Sequence, residues 1–111
     1  MTTVIVRTTN SGVYDSFTCM GHAGYAKFPF QKDIVCAAVS ILVINTVNSL
    51  EQITHDEIDV KHNQQTGFID CRFLGTISHE GSILMDSMVL GLKGIEQEYS
   101  KKYFQLKYEE V

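Results

Sequence analysis

Two stretches that alternate polar and apolar residues, each followed by a single stretch at helical spacing, constrain this chain most. The first begins "TVIVRT", meets the turn cluster "TNSG" and resumes as "VYDSFTCM", which reads as a β-hairpin from Thr2 to Met20. The second runs "EIDVKH", turns at "NQQTG" and returns as "FIDCRFL". Ile58 and Val60 alternate with Asp59 and Lys61, and Ile69, Cys71 and Phe73 alternate with Asp70 and Arg72. A period of two places each set on its own face of a sheet.

The helical stretches differ from each other. From Ile34 to about Ile53 the residues are small and aliphatic, and the first three turns are apolar on nearly every face, which predicts a helix buried on more than one side. After Ser78, a good N-cap, Leu84, Met88, Leu92, Ile95 and Tyr99 recur at helical spacing. The tail "YFQLKY" alternates again and fits a last strand. The order ββαββα(β) favours an α+β fold in two layers, an antiparallel sheet with both helices packed on one face. A length of 111 residues with 44% hydrophobic side chains suits one domain, 1–111, around one core.

Charge and cysteine usage narrow the function classes. Nine basic against 13 acidic side chains give a net charge of −4, which argues against direct binding of nucleic acid. The amino terminus "MTTVIVRTTN" has no basic leader before an apolar stretch, so no signal peptide is expected. The apolar run from Ile34 to Ile44 is shorter than the roughly 20 residues that cross a bilayer, so no membrane partner is expected. Cys19, Cys36 and Cys71 are odd in number, widely spaced and without a CxxC pair. That pattern fits reduced thiols in a cytoplasmic protein.

The segment "GHAGYAKFPFQKDIVCAAVS" carries the candidate chemistry. Asp33 is a good N-cap, which makes Ile34, Val35 and Cys36 the first helical positions. A thiol there meets the positive end of the helix dipole and unpaired N–H groups, both of which favour thiolate. His22 lies fourteen residues before Cys36, across a loop long enough to fold back, and Ser40 follows Cys36 by one turn on the same face. Nucleophile and proton carrier are the minimum equipment for covalent catalysis, with the amides at the helix start as candidate oxyanion donors. The plainer reading is that Cys36 packs, as most free cysteines do, and Cys19 and Cys71 on alternating strands are read that way. His55, His62 and His79 have no ligand spacing with a cysteine, so no metal site is expected. Tyr25, Phe28 and Phe30 either cover the core or wall an apolar substrate groove.

"GHAGYA" followed by "DIVCAAVS" resembles the signature of the ribosomal-processing cysteine protease family, Prp, over the length and element order of the whole chain. The resemblance implies His22 as general base and Cys36 as nucleophile. Asp33 and Ser40 match supporting polar positions, and Gly21 and Ala23 match the residues flanking the histidine. It further implies a homodimer without cofactor. The expected activity is removal of a short amino-terminal extension from the precursor of the large-subunit ribosomal protein L-twenty-seven. Where family members often carry glycines before the aspartate, this chain has "FPFQK". Two other functions fit the same residues: a peptide- or ribosomal-protein-binding module that does not cut, and, ranked last, a thiol redox protein. The twelve residues from Gly21 to Lys32 are expected to form a lid over bound peptide, with Tyr25, Phe28 and Phe30 supplying apolar contact.

Overall fold

The computed structural model describes residues 1–21 and 33–111. Strands β1 (Thr2–Thr8) and β2 (Tyr14–Met20) form the first hairpin, and β3 (Ile58–Asn63) and β4 (Phe68–Phe73) the second. Helix α1 (Ile34–Gln52) follows the first hairpin, α2 (His79–Tyr99) the second, and β5 (Phe104–Glu110) closes the chain. The five strands make one sheet in the order β3-β4-β2-β1-β5.

The α+β expectation holds, with one refinement. Four strands pair antiparallel, but β5 pairs parallel to β1, so the sheet is mixed. The reason lies in the crossovers. Each helix carries the chain back along the sheet, so the strands it joins run in the same direction. The strand after α2 therefore shares the direction of β4, and its neighbour β1 already points that way.

Register explains where the core sits. Val4 lies opposite Cys19 and Cys19 opposite Ile69, while Val6 lies opposite Phe17 and Phe17 opposite Cys71. These side chains fall on one face and join Val35, Val39 and Val43 of α1 with Met85, Met88 and Leu92 of α2 in a single buried cluster. The opposite face is polar but not idle. Arg7 Nη1 donates to Thr18 Oγ1 at 2.8 Å, and Thr18 Oγ1 donates to Asp70 Oδ1 at 2.6 Å. Arg72 Nε meets the other oxygen of the buried Asp70 carboxylate at 3.0 Å. Paired in this way, the charge is tolerated out of water.

α1 is less enclosed than its composition suggests. Val35, Val39, Val43, Thr46, Val47 and Leu50 are buried along one stripe, yet Ile34, Ile41 and Ile44 are exposed. Burial on more than one side is thus corrected to burial on one. The helix also runs on to Gln52, and on length and composition alone it is long and apolar enough to cross a membrane. Its buried stripe sits in the core shared with the sheet and α2.

Candidate functional site

Asp33 caps α1 in extended geometry, and its Oδ1 accepts the Cys36 amide at 2.9 Å. Its carbonyl accepts the Ala37 amide at 3.0 Å. This places Cys36 in the first turn, partly buried and packed against the core cluster. The cap also changes one expectation. The Cys36 amide is already bonded to a carboxylate, so this N–H is not an open oxyanion donor.

Cys36 and Ser40 line one wall of a groove of about 470 Å³, with Ile44 and Val47 continuing along α1. Val60, His62, Asn63 and Gln64 form the wall of β3 and its turn, over a floor that includes Cys19 and Ile69. Ser40 thus accompanies Cys36, as its position one turn on requires.

The other two thiols are structural. Burial pushes Cys19 up to about 11, with the neighbouring Cys36 adding to the rise. Burial pushes Cys71 up to about 12, and the acidic groups of Asp70, Glu51 and Asp59 add to it. Both belong to the core cluster and stay protonated at neutral pH.

Gly21 ends β2 at φ +84°, where a Cβ would collide with the carbonyl oxygen of Met1. Only glycine fits both the left-handed backbone and the close approach. His22, Ala23, Tyr25, Phe28 and Phe30, and with them the expected lid, lie outside the described residues. Among the described residues, no group of three or more His, Cys, Asp or Glu side chains could hold a metal ion.

Sequence reading missed that His62, Asn63 and Gln64 belong to this groove. Part of the signal was present. His62 continues the alternation of Ile58 and Val60, which puts it on the helix-facing side of β3.

The sequence profile of the family described as cysteine protease Prp matches residues 1–104. The ribosomal processing cysteine protease Prp of Staphylococcus aureus is 27% identical over 101 residues, spanning 91% of this chain and 93% of that protein. A crystal structure of the S. aureus ribosomal processing protease Prp, described as essential and covalently linked to a product peptide, superposes with a TM-score of 0.89. It is 27% identical and covers 98% of this chain and 100% of that one. The same enzyme in complex with a substrate peptide gives 0.85, with equal identity and coverage. A Streptococcus mutans protein is 26% identical with a TM-score of 0.80, covering 100% of this chain and 96% of its own.

Proposed function

This chain belongs to the cysteine protease Prp family, and from that premise we propose that it is an endopeptidase that removes an amino-terminal extension from the L-twenty-seven precursor of its host. The observation that carries the reading is the placement of Cys36: first turn of a capped helix, thiol on the wall of an apolar groove. The S. aureus relative, crystallised with substrate and product peptides, supports a peptide as the occupant.

In this mechanism His22 takes the proton of Cys36, and the thiolate attacks the scissile carbonyl. The tetrahedral intermediate collapses as His22 returns the proton to the leaving amine, which leaves a thioester on Cys36. Water, deprotonated by His22, then releases the carboxyl half and restores the thiol. Asp33 is a positioning residue, because its carboxylate holds the turn that carries Cys36. Tyr25, Phe28 and Phe30 supply apolar contact to the extension. The enzyme acts as a cytoplasmic homodimer, without nucleic acid or membrane as direct partner. Light scattering would then return twice the chain mass of 12.5 kDa.

The test is cleavage of the host's L-twenty-seven precursor, followed by mass spectrometry, with Cys36→Ser and His22→Ala. Each substitution is expected to lower kcat/KM by about a thousandfold or more. Unchanged turnover in either variant would remove the dyad. Tight binding of the precursor without cleavage by the wild-type chain would return the protein to the non-catalytic module.

A further inference from the structure

The proposed chemistry uses one flank of α1 and leaves its outer face unexplained. From Ile34 to Leu50 the helix carries no charged side chain, yet Ile41 is 69% exposed and Ile34 and Ile44 are exposed with it. On the neighbouring helix Leu90 is 73% exposed, and Ile83, two turns earlier, is exposed too. The two helices meet where Leu42 packs against Gly91, and the exposed Ile41 and Leu90 flank that seam. These five side chains leave roughly 500 Å² of apolar surface in water, towards the upper size of the largest patch on an ordinary monomer. Gly94 adds a separate sign. Gly91 has its reason inside the chain, since a Cβ there would press on Leu42. Gly94, one turn on, would meet nothing within 4 Å, although glycine within a helix is unfavourable. Close approach of another chain would give it one.

Charge and spacing select the occupant. A basic partner would be met by carboxylates, and the α1 stripe has none. Two copies with a net charge of −4 each repel, so they can approach only through a face free of charge. The stripe is also symmetric about Ile41. Ala38 and Ile44 lie three residues to either side, Ala37 and Asn45 four, and Ile34 and Asn48 seven, all on one helical face. Two such helices crossing antiparallel about a two-fold axis at Ile41 set Ala38 against Ile44 and Ala37 against Asn45. Each small side chain then meets a larger one, which is how packed layers interdigitate. A stable dimer covers about 800 Å² on each copy, and the apolar patch supplies more than half of that.

We infer that a second copy of this chain docks on the outer face of α1 and α2, about a two-fold axis at Ile41. Ile44 belongs both to this face and to the groove wall, so the second copy borders the groove. This inference rests on the homodimer reading and not on the chemistry of Cys36.

The experiment measures mass by light scattering for the full chain and for Ile41→Glu, Leu90→Glu, Leu74→Glu and Tyr108→Glu, with circular dichroism to show that each folds. Leu74 and Tyr108 are exposed apolar side chains off this face, Tyr108 on the edge strand β5. The expected result is a dimer for the wild type, Leu74→Glu and Tyr108→Glu. Ile41→Glu and Leu90→Glu should each weaken the dimer by about thirtyfold or more. In a second arm, Ile41→Cys and Leu74→Cys, each in a Cys36→Ala background, are treated with a short bis-maleimide. A residue on the axis meets its own copy, so Ile41→Cys should link into a dimer and Leu74→Cys should not. The cross-link decides where a glutamate variant fails to fold. A wild type that stays at the chain mass of 12.5 kDa overturns the homodimer reading and this inference with it. A wild-type dimer that survives both Ile41→Glu and Leu90→Glu, that Tyr108→Glu breaks, or that gives no link through Ile41→Cys keeps the homodimer and overturns the interface.

Discussion

Asp33 and Ser78 occupy the same place at the starts of α1 and α2, and each accepts the amide three residues on, at 2.9 Å. What surrounds the two caps differs. Behind Ser78 stands Asp56, whose Oδ1 accepts the Ser78 amide at 2.8 Å. Its Oδ2 accepts the Ser78 hydroxyl at 2.8 Å and the Thr54 hydroxyl at 2.6 Å. The third helical residue there is Gly81, where a Cβ would collide with the Asp56 carboxylate. At α1 the third residue is Cys36, and its thiol opens on a groove. The same local device therefore serves two ends. Where the space beyond the cap is filled it fastens a helix; where space is left it sets a thiol on the wall of a groove.

The comparison breaks first at Asp56. Asp56→Ala leaves the Ser78 amide and two hydroxyls without their acceptor, which costs roughly 3 kcal/mol and lowers Tm by about 10 °C. Activity per folded molecule is expected to survive. A loss of turnover with Tm unchanged would make the α2 start functional and erase the contrast. Asp33→Ala comes next. Loss of an N-cap costs about 1 kcal/mol, a smaller fall in Tm. Here kcat/KM per folded molecule should drop at least tenfold, because the turn that carries Cys36 is no longer held. Asp33→Asn keeps an acceptor and should restore most of it. Full activity in Asp33→Ala would show that the cap does not position the thiol.

The smallest effect is a pH dependence. Burial alone would raise the Asp56 carboxyl, but hydrogen bonds from Thr54 and Ser78 outweigh it and hold it below the ordinary carboxylate range. A lowered folded value means that the unfolded chain takes up the proton first. Its contribution is thus complete above the ordinary value of about 3.9 and is lost as pH falls through the lower folded one. Melting curves from neutral pH down to strongly acid pH should show this loss in the wild type and a shallower acid slope in Asp56→Asn. Equal slopes would mean that Asp56 does not contribute through its charge.

Much of this was legible in the sequence, because alternation and helical spacing are local signals. Both hairpins, both caps and the last strand follow from them, as does the pairing of Cys36 with Ser40 on one helical face. The parallel partner of β5 was not legible, since it depends on which edge of the sheet the crossover reaches. Asp70 reads as an outward polar residue in an alternating strand, yet it is buried beneath Arg7, Thr18 and Arg72 contributed by three strands. The groove was hidden for the same reason. Its walls are 13 residues apart in sequence at their nearest, Val47 against Val60, and 24 lie between Cys36 and Val60, so only the folded chain brings them together.

The central claim is that Cys36 forms the covalent intermediate. It is tested most directly by mixing the chain with a peptide spanning the precursor junction, quenching in acid within a turnover, and mapping the adduct by mass spectrometry. The account predicts the acyl half of the peptide attached as a thioester to Cys36. Cys19 and Cys71, pushed up to about 11 and about 12 by burial, should stay unmodified. Cleavage at an undiminished rate by Cys36→Ala, or an adduct on Cys19 or Cys71, would contradict it.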